Sequence, residues 1–348
     1  MNASIASAAS IAPPNDKTVG ILGAGQWGTA LSLLASRGCG RVYLYDRDKG
    51  RANETRETRI NARYLPGIRL PENVLVTSDL KTVLENSTLV IPVIPSKHFR
   101  GFAREYARFV RPDHCLVHGT KGLEPQTHKR MSEILLEETP ARLVGALSGP
   151  NLAVELANGQ PGATVIGSPS MEVIAFMQAA FASPQLRIYG NPDLVGVEWA
   201  GALKNILAVA AGINNALGYG QNVLALLITR GLAELSRLIS AKGAHSSTLL
   251  GLAGVGDIIT TCTSPLSRNF RAGQLLAQGK SMAEIEKALA MTIEGFNTVK
   301  VASEIAQSLK IELPITQALE QIIFEARPIG EAIRELMERP ATFEFQFG

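Results

Sequence analysis

Cysteine, aromatic residues and net charge are all scarce in this sequence, and each scarcity excludes a class of protein. The three cysteines, Cys39, Cys115 and Cys262, are far apart and odd in number. They predict neither a disulfide framework nor a zinc site, and they favour a reducing compartment. Aromatic residues make up 5% of the chain and the formal net charge is +3, with Lys and Arg scattered along it. We therefore expect no binding of nucleic acid.

The sequence also lacks a charge-free apolar run of membrane-spanning length. Its most apolar long stretch, residues 194–217, contains Glu198 and Lys204. A spanning helix needs about 20 predominantly apolar residues with few or no charges. Residues 1–16 are rich in Ala and Ser but contain no Lys or Arg, unlike a secretory signal or a transit peptide. We predict no integral membrane segment and a disordered tail over residues 1–16.

What the chain does contain is enough apolar sequence for two domains. Hydrophobic residues make up 46% of the 348 residues, and domains of about 100–200 residues are the usual size. Short apolar runs alternate with helical patterns up to about residue 190, which predicts a parallel sheet with both faces covered. The predicted strands are Thr18–Leu22, Arg41–Tyr45, Leu89–Ile94, Cys115–Val117, Leu143–Leu147 and Ala163–Ile166. Because proline cannot donate to a sheet, we expect the third to end early, with residues 92–95 leaving as a loop.

Beyond about Asn191 the strand signals stop and helical patterns continue alone. The predicted helices are Leu194–Leu217, Val223–Lys242, Arg271–Gln278, Met282–Leu289, Val299–Leu309 and Ile315–Phe324. This change predicts a boundary between an α/β domain over residues 17–190 and an all-helical domain over residues 191–348.

The turn after the first strand has the sequence G-A-G-Q-W-G. Gly23 permits the tight turn, Gly25 lets the backbone approach a pyrophosphate, and Gly28 lets helix and strand pack closely. The helix that Gln26 and Trp27 open would then direct free N–H groups and its positive dipole end at the phosphates. The pattern alone is weak, but a strand precedes it and a helix follows. It therefore predicts a doubly wound, Rossmann-like sheet that binds a nicotinamide dinucleotide.

An acid at the end of the second strand bears on which dinucleotide binds. Asp46 lies 18 residues after Gly28, close to the roughly 20 expected for the ribose-binding acid. Its carboxylate favours NAD because it repels the extra phosphate of NADP, whereas Arg47 beside it could attract that phosphate. Both are candidate cofactor residues, and the choice between NAD and NADP stays open.

Lys204 is the strongest candidate for a catalytic residue. Its neighbours three, four and seven residues away are uncharged, and lysine is rarely buried unless paired. Desolvation would lower its pKa from about 10.4 toward neutrality, as a general acid/base requires. The alternative is a lysine whose stem packs while its ammonium reaches water. The small residues Ala200, Gly201 and Ala208 favour a cleft instead.

Three further motifs are candidates for the same site. Asp257, in a glycine-rich segment, is the expected counter-charge of Lys204, or alternatively the N-cap of the following helix. Ser267-Arg268-Asn269 opens a helix and could bind an anion or simply cap that helix. Lys121 follows a strand and would point into the crevice where ligands bind, unless it is an ordinary loop lysine.

Two other signals are interpreted as structural. On a strand, His114 and His118 share one face and Cys115 lies on the other, so we predict no metal site. Ser148 lies near glycines but lacks the pattern of a nucleophile elbow. We expect neither motif to carry chemistry.

Taken in order, the motifs resemble those of the NAD(P)-dependent glycerol-3-phosphate dehydrogenases. The resemblance runs from about Lys17 to Glu344, nearly the whole chain. The segments that carry it are Gly23–Ala30, Thr120–Gly122, Ser148–Asn151, Glu198–Asn205, Gly251–Asp257, Ser267–Asn269 and Glu294–Gly295. Asp46 departs from many bacterial members, which lack an acid there.

This resemblance implies a reaction, a location and an assembly. The reaction is reversible reduction of dihydroxyacetone phosphate to sn-glycerol 3-phosphate by NADH or NADPH, supplying glycerophospholipid synthesis in the cytoplasm. The resemblance also implies a homodimer. The alternatives are a related dehydrogenase of 3-hydroxy acids or ketopantoate, or a non-enzymatic sensor of NADH.

By position, the resemblance also assigns roles. Lys204 would donate the proton in reduction and accept it in oxidation, with Asp257 orienting it and Lys121 holding substrate and cofactor. The other implied substrate contacts are Gly149, Asn151, Ser267, Arg268 and Asn269. The other implied cofactor contacts are Ala153, Arg268, Thr292 and Glu294.

Overall fold

The structure is a computed structural model that describes residues 18–289 and 292–340. The predicted disordered tail, residues 1–16, lies outside the described residues. Within them, a sheet covered by helices occupies the N-terminal part, and the C-terminal part is helical.

Eight strands of the described residues form one sheet in the order β3-β2-β1-β4-β5-β6-β7-β8. The strands are β1 (Thr18–Leu22), β2 (Arg41–Tyr45), β3 (Val74–Thr77), β4 (Leu89–Pro92), β5 (Cys115–His118), β6 (Leu143–Ser148), β7 (Gly162–Gly167) and β8 (Leu186–Asn191). The order reverses direction at β1, which puts a ligand crevice between β1 and β4 at the carboxyl ends of the strands. The predicted Rossmann-like fold class is confirmed.

The expectation of a parallel sheet needs one correction, because β6 and β7 pair antiparallel while the other neighbours are parallel. A short connection joins β6 to β7 and contains a single helix of five residues, too short for the usual crossover between parallel strands. The strand containing Pro92 ends early as predicted. Pro92 is nevertheless its last residue, opposite Leu22, and does not leave the sheet.

Seven helices accompany the sheet in the described residues. They are α1 (Gln26–Ala35), α2 (Lys49–Thr58), α3 (Leu80–Asn86), α4 (Ser96–Ala107), α5 (Met131–Glu138), α6 (Ala153–Ala157) and α7 (Met171–Ala180). Asp48 and Asp79 cap α2 and α3, since their carboxylates accept backbone N–H groups of the first helical turn.

The C-terminal part contains eight α-helices in the described residues. They are α8 (Leu194–Ala216), α9 (Gln221–Ala241), α10 (Asp257–Thr263), α11 (Arg268–Ala277), α12 (Met282–Leu289), α13 (Glu294–Leu309), α14 (Pro314–Phe324) and α15 (Ile329–Glu338). A π-helical segment, Leu252–Gly256, leads directly into α10. Helices α11 and α13 begin earlier than predicted, so Arg268 and Glu294 are their first residues.

Helix α8 is the core of this helical part. By length and composition it could cross a membrane, but 89% of its most apolar window is buried inside the protein. It packs against α9, α10, α11 and α13, and Lys204 lies in its middle. The long apolar stretch is therefore a core helix, in agreement with the sequence interpretation.

The crossing of α8 and α11 has no room for side chains. A Cβ on Gly212 would overlap the carbonyl oxygen of Phe270, and a Cβ on Gly273 would overlap that of Val209. The two backbones therefore touch, as small residues permit. This contact places the start of α11 beside the middle of α8.

Candidate active site

The glycine turn between β1 and α1 has the shape that a pyrophosphate requires. Gly23 has a φ of +125°, in the region that favours glycine. A Cβ on Gly28 would overlap the Gly23 carbonyl oxygen, whereas a Cβ on Gly25 would have no described atom within 4 Å. The backbone is thus packed on one side and open on the other. The start of α1, where Gln26 is exposed, can face a phosphate on the open side.

Trp27 extends from this turn to the loop after β5. A Cβ on Gly119 would lie 3.1 Å from the indole Nε1. The Nε1–H is buried and has no hydrogen-bond partner among the described residues. A buried donor of this kind is costly unless a ligand or water completes it, so the turn and Trp27 together fit a bound dinucleotide.

Asp46 is paired with an arginine that the sequence analysis did not consider. Arg51, in the first turn of α2, donates from Nε to Oδ2 at 2.6 Å and from Nη2 to Oδ1 at 2.5 Å. The backbone N–H of Asp48 also donates to Oδ1 at 3.0 Å. The Asp46 hydrogen bond raises the pKa of Arg51. Arg47 is exposed beside the pair.

Two lysines meet one carboxylate where the helical part faces the sheet. Lys204 Nζ lies 2.5 Å from Asp257 Oδ1, and Lys121 Nζ lies 2.6 Å from Asp257 Oδ2. Lys204 also donates to Thr261 Oγ1 at 2.7 Å, and Lys121 to the Gly149 carbonyl oxygen at 2.8 Å. Asp257 is 1% exposed. The carboxylate therefore bridges two ammonium groups that come from different parts of the fold.

This geometry distinguishes between the alternative roles that the sequence left open for Lys204 and Asp257. The Lys204 side chain is 9% exposed, so its ammonium does not reach into water. Asp257 is the first residue of α10, and its carboxylate faces the lysines while Gly256 holds the N-cap position. Asp257 is the counter-charge of Lys204 and not the N-cap.

Burial tunes the proton affinity of Lys204. Desolvation lowers its pKa from the ordinary value to about 8. Asp257 opposes this shift and Lys121 adds to it, because an anion favours the ammonium and a second cation disfavours it. A lysine with this pKa can hold or release a proton near neutral pH.

The start of α11 is joined to Lys204 through two asparagines. Asn269 Nδ2 donates to Asn205 Oδ1 at 2.7 Å, and Asn205 Nδ2 donates to the Lys121 carbonyl oxygen at 3.3 Å. Asn269 Oδ1 accepts the Gly295 N–H at 3.0 Å. Since Asn205 is next to Lys204, this network holds the start of α11 against the part of α8 that carries the lysine.

Ser267 and Arg268 complete the start of α11. Ser267 Oγ accepts the Phe270 N–H at 3.3 Å, so it caps the helix as predicted. The Arg268 side chain is exposed, yet surrounding protein partly desolvates it. This desolvation lowers the pKa of Arg268, while Glu294 raises it. A cation at the first position of a helix suits a bound anion.

The loop after β6 also borders the site that contains Lys121. Gly149 has a φ of +129°, and its carbonyl holds Lys121. Asn151 Nδ2 donates to Thr164 Oγ1 at 2.9 Å, and its buried Oδ1 has no partner among the described residues. Ala153 begins α6 and is half-buried. Gly149 and Asn151, which the resemblance assigns to substrate binding, therefore lie in the loop that contacts Lys121, and Ala153 follows directly after it.

The Glu294 side chain, which belongs to the helical part, contacts Ser96 in the sheet part. Its Oε1 accepts the Ser96 N–H at 3.0 Å, and its Oε2 accepts from Ser96 Oγ at 2.6 Å. A Cβ on Gly122 would lie 2.6 Å from Glu294 Oε2, so this carboxylate also borders the Lys121 loop. Glu294 satisfies the N-terminus of α4, and Thr292 lies half-buried two residues before it.

Glu198 forms a second crossing contact, deeper in the molecule. Its Oε1 lies 2.9 Å from His118 Nε2 and accepts the Ser132 N–H at 2.9 Å. Its Oε2 accepts from Arg130 Nη1 and Ser132 Oγ, both at 2.6 Å. Burial alone would raise the pKa of Glu198, but His118, Arg130 and Ser132 hold that pKa below its usual range. The cluster ties α8 to β5 and to the start of α5.

Four residues of the site were assigned no role from the sequence: Arg51, Asn205, Thr261 and Glu198. Asn205 and Glu198 had a signal, because each is a polar residue inside the most apolar helix of the chain. Arg51 and Thr261 had none, since nothing in the sequence around them separates them from residues without a role. Among the described residues, no group of three or more His, Cys, Asp or Glu side chains could hold a metal ion.

A Rossmann-like sheet with an open glycine turn, facing a buried lysine and its carboxylate, defines a nicotinamide dinucleotide-dependent dehydrogenase. The comparisons with known proteins narrow this class. The family model described as NAD-dependent glycerol-3-phosphate dehydrogenase N-terminus matches residues 18–174, and the corresponding C-terminus model matches residues 193–334. The chain belongs to the NAD-dependent glycerol-3-phosphate dehydrogenase family.

Individual relatives agree with this membership. A protein from Moorella thermoacetica named glycerol-3-phosphate dehydrogenase (NAD(P)+) is 42% identical over 332 residues, covering 95% of this chain and 99% of the relative. One of the same name from Geobacillus thermodenitrificans is 44% identical, covering 93% and 95%. The crystal structure of glycerol-3-phosphate dehydrogenase from Coxiella burnetii has a TM-score of 0.88 at 36% identity, covering 93% and 99%.

A more distant likeness concerns the fold alone. The structure of a ketopantoate reductase of the PanE/ApbA family from Ralstonia eutropha has a TM-score of 0.58 at 15% identity, covering 92% of this chain and all of the other. The architecture of sheet and helical part is therefore shared beyond the glycerol-3-phosphate dehydrogenases.

Proposed function

We propose that this chain catalyses the reversible reduction of dihydroxyacetone phosphate to sn-glycerol 3-phosphate with NADH or NADPH. The observation that carries the proposal is the placement of the N-terminus of α11 beside the segment of α8 that holds the buried Lys204 ammonium. Lys204 is adjacent to Asn205, which is hydrogen-bonded to Asn269 in the first turn of α11. A substrate with a carbonyl and a phosphate a few bonds apart fits such a pair of groups.

Lys204 acts as the general acid in reduction and as the general base in oxidation. A bound nicotinamide would supply the hydride to the carbonyl carbon in reduction and accept it from the carbinol carbon in oxidation. Of the three N–H donors of the Lys204 ammonium, one goes to Asp257 and one to Thr261, which leaves one for a substrate oxygen. As negative charge grows on that oxygen, the ammonium stabilises it and transfers a proton. Asp257 holds both lysines in place and keeps Lys204 largely protonated near neutral pH.

The start of α11 binds the phosphate of the substrate. Ser267 shapes the first turn, Arg268 supplies a cation, and Asn269 is held by Asn205. The helix dipole adds to the attraction. Gly149 and Asn151, on the loop after β6, contact the remainder of the substrate together with Lys121.

A bound cofactor would be held across the crevice from this site. The turn formed by Gly23, Gly25 and Gly28, with Gln26 and Trp27 at the start of α1, would bind its pyrophosphate. The end of β2 would meet its adenosine ribose. The remaining cofactor contacts that we propose are Asp46, Arg47, Lys121, Ala153, Arg268, Thr292 and Glu294.

An assay with two cofactors and three substrates tests the proposal. Dihydroxyacetone phosphate should oxidise NADH or NADPH, followed by loss of absorbance, whereas dihydroxyacetone without phosphate should react far more slowly. Ketopantoate serves as the carboxylated control, because the fold is shared with ketopantoate reductases. If the protein binds NADH but does not oxidise it with dihydroxyacetone phosphate, the proposal is wrong.

The pH dependence of the two directions should be opposite. Since the pKa of Lys204 is lowered to about 8, kcat/KM for reduction should fall as the pH rises through about 8, because the protonated form is the donor. For oxidation it should rise over the same interval. Asp257→Asn removes the anion that favours the ammonium, so both midpoints should move to lower pH. Midpoints that stay in place in this variant would contradict the role of Asp257.

We also propose the setting in which the enzyme works. Its product would supply glycerophospholipid synthesis in the cytoplasm, and the division between its two domains would lie near residue 190. A homodimer is proposed because several large apolar side chains at the turn from α8 to α9 are exposed: Leu217, Tyr219, Val223 and Leu226. Light scattering of the purified protein tests the dimer, and a monomer at micromolar concentration would argue against it.

A further inference from the structure

The end of β2 has an unusual charge arrangement for a site that meets the adenosine ribose. The Gly23 N–H donates to the Tyr45 carbonyl oxygen at 3.1 Å, so Asp46 lies directly beside the glycine turn. An acid there normally accepts from the ribose 2′-hydroxyl and repels a 2′-phosphate. In this chain the Asp46 side chain is only 4% exposed, and Arg51 holds both of its oxygens.

Two more arginines, Arg47 and Arg63, lie near the pair formed by Asp46 and Arg51. Arg47 is exposed next to Asp46, and the Arg51 guanidinium lies 5.5 Å from the centre of the Tyr64 ring. Arg63 lies 5.3 Å from the same ring. Three guanidinium groups, those of Arg47, Arg51 and Arg63, therefore lie near the carboxylates of Asp46 and Asp48 at the end of β2.

We infer that Arg51 sets the cofactor preference of this chain, by neutralising Asp46 and offering a guanidinium to the 2′-phosphate of NADPH beside Arg47. Arg51 Nη1 is the part of the fork directed away from Asp46, and its contact with Asp48 is long at 3.5 Å. Its N–H groups can therefore donate to a phosphate that approaches from that side while Nε and Nη2 stay on Asp46. A charge-assisted hydrogen bond from a guanidinium to a phosphate is stronger than one between neutral groups.

The consequence is a chain that binds NADPH more tightly than NADH, although it carries the acid that ordinarily favours NAD. This inference concerns the cofactor alone. It holds or fails whatever the substrate is, because cofactor binding is measured without substrate.

The test compares the affinities of wild type and Arg51→Ala for NADPH and NADH by calorimetry, and for the probes 2′,5′-ADP and 5′-AMP. We expect wild type to bind NADPH more tightly. In Arg51→Ala, affinity for NADPH and 2′,5′-ADP should fall at least about tenfold. Affinity for NADH should stay constant or increase, because Asp46 becomes free for the ribose. Raised salt should weaken NADPH binding more than NADH binding in wild type.

Two further variants make the result specific. Arg56→Ala, an exposed arginine on the same helix whose partner is Asn53, should leave all four affinities unchanged. Asp46→Asn keeps Arg51 and should retain the preference for NADPH. Equal loss of NADPH and NADH binding in Arg51→Ala, an unchanged ratio of the two, or a wild type that prefers NADH would each overturn the inference. Thermal unfolding of each variant confirms that the binding data refer to folded protein.

Discussion

Lys204→Met should lower kcat/KM for dihydroxyacetone phosphate by at least about 100-fold, since a positioned general acid contributes about 10²–10⁴-fold. Methionine keeps an unbranched apolar stem in the helix but cannot donate a proton. Asp257 retains Lys121 as a partner at 2.6 Å, so the variant does not leave a buried carboxylate without a cation. Initial rates with saturating cofactor measure the effect, and the affinity for NADH should stay at the wild-type value.

The control for this experiment is Lys300→Met, which removes an exposed lysine from α13. Its rate should equal that of wild type. The pH dependence adds a second criterion, because the ionisation near pH 8 should disappear from the residual activity of Lys204→Met. A loss smaller than tenfold would mean that another group delivers the proton.

Glu198→Ala should reduce the free energy of unfolding by about 3–5 kcal/mol, the usual cost of removing one partner from a buried ion pair. The alanine would leave Arg130, His118 and the start of α5 without their acceptor in a water-excluded region. Glu198→Gln should lose less, because its amide oxygen still accepts one of these hydrogen bonds. Urea unfolding at neutral pH measures both variants.

The matched control is Glu304→Ala. Glu304 also pairs with a histidine, His128, at 2.8 Å, but its side chain is 40% exposed, and such pairs contribute about 0–1 kcal/mol. The pH dependence follows from the lowered pKa of Glu198. Its contribution is present above the ordinary pKa of a glutamate and is lost as the pH falls through the lowered folded-state value. Equal stability of the two alanine variants would contradict the importance of the buried cluster.

Local patterns were sufficient for the first two strands of the chain. Strands β1 and β2 coincide with their predicted ranges, because apolar runs bounded by glycine and polar residues are unambiguous there. Strands β3 and β8 were missed. Strand β3 has only four residues, one of them exposed, and most residues of β8 are exposed or half-buried, which dilutes the apolar signal. The antiparallel pairing of β6 and β7 was missed because strand direction depends on the connection between strands and not on the composition of either.

For the site, the sequence predicted residues better than partnerships. An isolated lysine in an apolar helix demanded a counter-charge, and Asp257 supplies it from 53 residues away. The bridge from the same carboxylate to Lys121 was not foreseen, because its three members come from separate elements. The role of Arg51 could not be predicted, for a different reason. An arginine on an exposed helix is ordinarily solvated, and only the fold brings Arg51 to Asp46.

The acids Glu198 and Glu294 have a consequence for anyone who wishes to reuse the dinucleotide-binding half of this protein. Both belong to the helical part, yet they supply the acceptors for the first amide groups of α5 and α4 in the sheet part. A fragment that ends near residue 190 keeps its glycine turn but gives up both acceptors. Transplanting this half into another protein would therefore require two replacement carboxylates, so the unit that can be moved is larger than the unit that binds the cofactor.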